Sequence, residues 1–164
     1  ESIEDARLAA TEKNIQLRIQ PPPEFTPIVG SRRRMRQVFT NLLNNAIKFS
    51  PPETIVHFKA WYEDDQLIFT VEDNGPGIPH EDIPYIFTDF FRASNVGDSP
   101  GAGLGLSIAK KIMDAHEGDI LIENLTDNDG SVRGSKFTVL IPLNLNTPEM
   151  RRREWIPDNE IIED

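Results

Sequence analysis

The sequence predicts an α/β two-layer sandwich, a mixed and largely antiparallel sheet covered on one side by three main helices. Three observations predict it. One long run carries apolar residues at three- and four-residue spacing, several short runs alternate apolar and polar residues, and the two kinds of run interleave along a chain of 164 residues. That length supports one hydrophobic core, so residues 1–145 are expected to form a single domain and 146–164 an extended or partly disordered tail.

Ser2 to Lys13 reads as a helix, and Ile15 to Ile19 (IQLRI) alternates as a strand does. The run PPPEFTP breaks regular structure. Ser31 suits the N-cap of a long helix whose stripe is Met35, Val38, Phe39, Leu42, Leu43, Ala46 and Ile47, ending near Ser50 before Pro51 and Pro52. Ile55–Tyr62 and Leu67–Glu72, joined by EDDQ, predict an antiparallel hairpin. A short helix over Glu81–Phe87 and a flexible stretch from Arg92 to Ala102 follow. A helix from Leu104 to His116 buries Leu106, Ile108, Ala109, Ile112 and Met113. Strands Ile120–Asn124 and Lys136–Ile141 close the pattern around the loop TDNDGSVRGS.

Composition removes several function classes. A net charge of −10 argues against a nucleic-acid surface, which needs clustered Lys and Arg. With no Cys there is no disulfide scaffold, thiolate metal site or cysteine nucleophile, a usage that fits a reducing cytosol. No apolar run approaches the roughly 20 residues that span a bilayer, so no membrane contact is expected of this segment itself. The chain opens without Met inside a helical pattern, as a piece excised from a longer protein would, and any membrane anchor is expected outside this segment, which itself is expected in the cytoplasm.

Three clusters interrupt the apolar patterns. In NLLNNAIKFS, Asn41, Asn45 and Lys48 fall at i, i+4 and i+7 and share one helix face. An amide oxygen is a hard ligand that suits Mg²⁺, and Lys48 one turn on suits its phosphates, although an ordinary solvated face has the same spacing. In DNGPGIP, Gly75 and Gly77 permit positive φ and close approach of a flat ligand, and Asp73 can accept a hydrogen bond from an exocyclic amine. A plain strand-end turn has the same composition. The third cluster, Gly101-Ala102-Gly103-Leu104-Gly105-Leu106, precedes a helix and bares main-chain N–H groups at its positive end, as phosphate binding requires. It lacks both the G-K-[ST] ending of a P-loop and the G-x-G-x-x-G spacing of a dinucleotide fingerprint.

Taken together and in order, these segments resemble the sensor histidine kinases. NLLNNAIKFS resembles their N box, DNGPGIP their first glycine box, YIFTDFFR their F box and GAGLGLSIAKKI their second glycine box, over roughly Ile3 to Pro142. The resemblance implies the Bergerat fold of the GHKL proteins, with ATP held between helices and a mobile lid. It implies Asn45 as the Mg²⁺ ligand; Asn41, Lys48 and Arg92 as catalytic residues near the phosphates; and Phe49, Asp73, Gly75, Gly77 and Ile78 around the adenine. Gly101, Ala102, Gly103, Leu104, Gly105 and Leu106 would line the triphosphate. The implied partners are the dimerisation domain of the same protein, which carries the phosphoacceptor histidine, and the receiver domain of a response regulator. The chain departs from the family's common pattern at Phe49 (often Tyr), Asp89 (often Pro), Ala102 (often Thr or Ser) and Glu117 (often Gly).

The gyrase, chaperone and mismatch-repair ATPases of the same fold use a Glu four residues before the metal-binding Asn as general base. Here that residue is Asn41, an amide that takes no proton at neutral pH, so hydrolysis is disfavoured. A neutral imidazole acceptor already offers a lone pair and needs no such base. His57, His80 and His116 match no acceptor motif of the family and read as structural or surface residues. Arg32–Arg34 and Arg151–Arg153 read as solvated charge runs, and Trp155 as a tail residue of open role.

Overall fold

The computed structural model describes residues 2–24, 28, 30–97 and 101–143. The expected tail, with Trp155 and Arg151–Arg153, lies outside them, as does part of the expected flexible stretch. In chain order the elements are α1 (Ser2–Glu12), β1 (Gln16–Gln20), α2 (Arg32–Phe49), β2 (Ile55–Glu63), β3 (Gln66–Glu72), α3 (Gly105–Ala115), β4 (Asp119–Thr126) and β5 (Val132–Pro142). One sheet runs β1-β2-β3-β5-β4, parallel between β1 and β2 and antiparallel elsewhere. The expected mixed sheet and three helices are therefore present.

The ends of α2 follow from local chemistry. Ser31 Oγ accepts from the Arg34 N–H, supplying one helix-end donor with a partner. At the other end, Lys13 donates to the carbonyls of Ile47 (3.0 Å) and Lys48. This sets a cation against carbonyls that lack intrahelical partners. Met35, Val38, Leu42, Leu43, Ala46 and Ile47 are buried as the stripe predicts. Phe39 stacks on Phe69 of β3 with centroids 4.3 Å apart, and Phe58 of β2 packs on both rings.

α3 ends in a Schellman motif: Gly118 N–H reaches the Met113 carbonyl at 2.9 Å and Glu117 N–H the Asp114 carbonyl at 3.2 Å. The motif requires a left-handed residue at position 117, and Glu117 sits there at φ 54°. This is the conformation for which glycine is the least strained residue. His116 joins α3 to α2. Its Nε2 accepts from Ser31 N–H (3.3 Å), so its Nδ1–H donates to the Ile112 carbonyl (2.7 Å), and the buried ring has a structural role.

Three expectations need correction. The helix over 81–87 is only a 3₁₀ turn at Ile83–Tyr85, because Pro84 offers no N–H to extend it. The loop TDNDGSVRGS shortens at both ends, since β4 continues to Thr126 and β5 begins at Val132. A register irregularity at Leu125/Thr126 lets the ladder resume from Leu125↔Gly134 to Thr126↔Val132. In α3, Leu106 and Ile108 are half-buried and Ser107 joins the fully buried set instead.

Candidate functional site

The three clusters meet at one cavity of about 260 Å³. Asn45, Lys48 and Phe49 reach it from the last turns of α2, and Asp73, Gly77 and Ile78 from the loop after β3. Arg92 and the run Gly101–Leu106 line it as well. Two expected residues do not line it. Asn41 is one turn too far along α2 and instead donates from Nδ2 to the Gly105 carbonyl at 2.9 Å, which fixes the start of α3 against α2. Gly75 lies behind Asp73: a Cβ there would stand 2.9 Å from Asp73 Oδ1, and its backbone does not use positive φ as Gly77 does at 68°.

Asp73 is 5% exposed and its carboxylate takes three donors. Oδ1 accepts from Gly75 N–H (2.8 Å) and Ser135 N–H (3.2 Å), and Oδ2 from the Ser135 hydroxyl (2.5 Å). Burial pushes the carboxyl above the ordinary aspartate range, and the Ser135 hydroxyl, Gly75 N–H and Ser135 N–H pull it back. Close approach of β5 makes this possible. A Cβ on Gly134 would fall 1.9 Å from the Asp73 carbonyl oxygen, so only glycine lets Ser135 come within reach.

The opposite chemistry gathers around Lys48. Its Nζ lies 4.5 Å from the centroid of the Phe49 ring. Burial, and then the charge of Arg92, hold its ammonium below the usual lysine range. Two cations lining one cavity give that wall a chemistry suited to an anion. α3 begins at the same wall with Leu104 as N-cap and no side-chain cap bond. Its first N–H groups and positive dipole end therefore suit an anion as well.

The loop from the F box is tied down by Asp82, whose Oδ2 accepts from Ser94 N–H (2.6 Å) and the Ser94 hydroxyl (2.8 Å). Asp89, the departure from Pro, pairs with Lys111 of α3 at 2.6 Å, and that contact holds its carboxyl below the ordinary aspartate range.

Sequence reasoning missed Ser135, Phe137, Ile86, Phe91, Ala93 and Val96, which also line the cavity. A glycine followed by a small hydroxyl residue, as at Gly134-Ser135, was the available signal. It lies 62 residues from Asp73, and no local pattern connects the two.

Residues 30–145 match the family described as histidine kinase-, DNA gyrase B-, and HSP90-like ATPase. The chain belongs to that family. Over 131 residues, 79% of its length, it is 39% identical to the circadian input-output histidine kinase CikA of Thermosynechococcus vestitus. Over 116 residues, 69% of its length, it is 40% identical to the sensor protein ChvG of Agrobacterium fabrum. It spans only 17% and 20% of those relatives. Among solved structures, the mycobacterial sensor histidine kinase MprB superposes with a TM-score of 0.74 at 25% identity, covering 86% of this chain and 93% of that one. The catalytic domain of histidine kinase ThkA gives 0.71 at 30% identity, over 87% and 92% of the two chains. Full-length ShkA in complex with AMPPNP gives 0.70 at 27%, over 86% of this chain and 29% of that one. The fold is thus that of histidine kinase catalytic domains, the GHKL architecture.

Proposed function

We propose that this chain is the ATP-binding kinase core of a two-component sensor. It holds Mg-ATP and offers the γ-phosphoryl group to a histidine on a separate dimerisation domain, from which the receiver domain of a response regulator takes it. The observation that carries this reading is a single cavity uniting the buried Asp73 carboxylate with the Lys48–Arg92 pair and the uncapped start of α3. Ionised Asp73 accepts from the adenine amine, and the ring of Phe49 and the side chain of Ile78 flank the base. Lys48, Arg92 and the N–H groups of the glycine run take the phosphate charge.

The residues fit a magnesium ion that arrives with its nucleotide. Asn45 offers one neutral oxygen at the cavity, and no group of three or more His, Cys, Asp or Glu able to hold a metal occurs among the described residues. Asn45 would hold the ion, with phosphate oxygens and water completing its shell. The ion supplies neutralisation of phosphate charge.

In the transfer, the bond from the γ-phosphorus to the oxygen it shares with the β-phosphate breaks as the acceptor imidazole forms a P–N bond, and ADP leaves. Positioning and charge stabilisation suffice for this loose transition state, because the neutral imidazole brings its own lone pair. Asn41 supports transfer over hydrolysis: its amide cannot accept a proton from water, and its donor is engaged by Gly105. As part of the same reading, we place the domain in the cytoplasm; separately, no helix among the described residues is long and apolar enough to cross a membrane.

Asp73→Asn is expected to abolish Mg-ATP binding in calorimetry, since the replacement amide sets a donor where an acceptor is needed; undiminished affinity would refute the pocket. Incubation with labelled ATP and the separately supplied dimerisation domain should leave acid-labile, base-stable label on that domain. Rapid steady-state phosphate release by the chain alone would instead favour an ATPase.

A further inference from the structure

We infer that Asn124 is a positioning residue for the base end of the cavity. The inference rests on the ATP-binding reading above and adds a residue that none of the motifs contains. Asn124 lies on β4, 46 residues from the loop it serves, and its carboxamide pairs with both backbone polar groups of Ile78. Oδ1 accepts from Ile78 N–H at 2.8 Å, and Nδ2 donates to the Ile78 carbonyl at 2.7 Å. An N–H needs an acceptor and a carbonyl a donor, so the amide can be oriented only this way. One side chain thereby acts as a strand partner for a residue that has left the sheet.

Register shows why the position matters. Asn124 on β4 is paired with Ser135 on β5, and directly opposed residues of an antiparallel pair project from the same face. Ser135 holds Asp73, the first residue of the base-binding loop, and Asn124 holds Ile78, near its far end. The cross-strand pair thus grips the segment Asp73–Ile78 at both ends. Between them Gly77 is pressed against the same wall: a Cβ there would lie 2.3 Å from Val132 Cγ1 and 2.9 Å from Asn124 Oδ1. From the other side, Asn95 donates to the Gly77 carbonyl at 3.0 Å. Without Asn124, Ile78 keeps its place in the chain but loses its fixed distance from Asp73. The base would then meet the acid and the apolar contact out of register.

The test separates a base-seat defect from general damage by using a probe without a base. Asn124→Ala should weaken Mg-ATP binding about tenfold, the scale of two lost neutral hydrogen bonds, with the inhibition constant of Mg-tripolyphosphate changed less than about twofold. Equal loss for both probes, or Mg-ATP affinity within about twofold of the parent, overturns the proposal. Should the alanine variant fold poorly, Asn124→Asp keeps size and acceptor but removes the donor to the Ile78 carbonyl, and the same selective loss is expected. A parent chain that binds no Mg-ATP at all would sink the underlying function instead, which keeps the two failures apart.

Discussion

The two ends of the cavity are built on opposite principles. At the sheet end every key polar group already has a protein partner: Asp73 takes three donors, and Ile78 has both backbone groups paired by Asn124. At the helix end, burial and then the charge of Arg92 hold Lys48 below the usual lysine range, and α3 starts without a side-chain cap. A satisfied network keeps its geometry with or without a ligand, whereas neighbouring like charges are relieved when an anion arrives. In the proposed ATP-binding reading, a base would meet a preformed shape and the phosphates a concentration of positive charge.

The strongest way to break this contrast is Gly134→Ala. A Cβ 1.9 Å from the Asp73 carbonyl oxygen forces β5 from β3, and we expect a loss of about 3 kcal/mol or more in a urea unfolding curve. A variant of parental stability would show that the sheet end is not rigid. Next in size, Lys48→Met should weaken Mg-ATP by roughly tenfold to a hundredfold, as loss of a charge-assisted contact does. Its own fold should unfold no more easily than the parent, because a charge held at a disfavoured site has been removed. An equal affinity loss for Lys48→Met at low and high salt would count against the electrostatic account of this end.

The third test uses pH. The Asp73 carboxyl is raised by burial, so its ionised form, the amine acceptor, is lost at a higher pH than for an ordinary aspartate. Mg-ATP affinity should therefore fall on acidification, beginning above the usual carboxylate range. Stability moves the other way. An acid raised in the folded state favours folding below its unfolded pKa and loses that contribution as pH rises through the folded value. Ser135→Ala removes the largest influence holding this pKa down, so the half-affinity pH should move upward; a downward move would contradict the assignment. The smallest effect is expected away from both ends. Glu117→Gly relieves a left-handed non-glycine residue and should stabilise by about 0.5–1 kcal/mol in chemical denaturation, with Mg-ATP affinity unchanged.

Local pattern carried most of the helix end. Asn45 and Lys48 share one face of a single amphipathic helix, so spacing groups them, whereas Phe49 followed from the resemblance to the kinase N box; Ser31 and Ser50 mark the helix limits. The same logic overreached for Asn41, whose face was read correctly while its partner, Gly105, lies 64 residues away. It failed at 81–87, where the absence of an N–H on Pro84 outweighed the expectation of a helix.

The sequence by itself determined the order of the main helices and strands, the buried stripe of α2 and the hairpin β2–β3, because helix and strand periods act over a few neighbouring residues. Only the tertiary structure decided that Ser135 would hold Asp73, that Asn124 would hold Ile78 and that His116 would join α3 to Ser31. Those contacts span 62, 46 and 85 residues, and they exist because strand register and close backbone approach, which no local period encodes, bring their partners within hydrogen-bond reach.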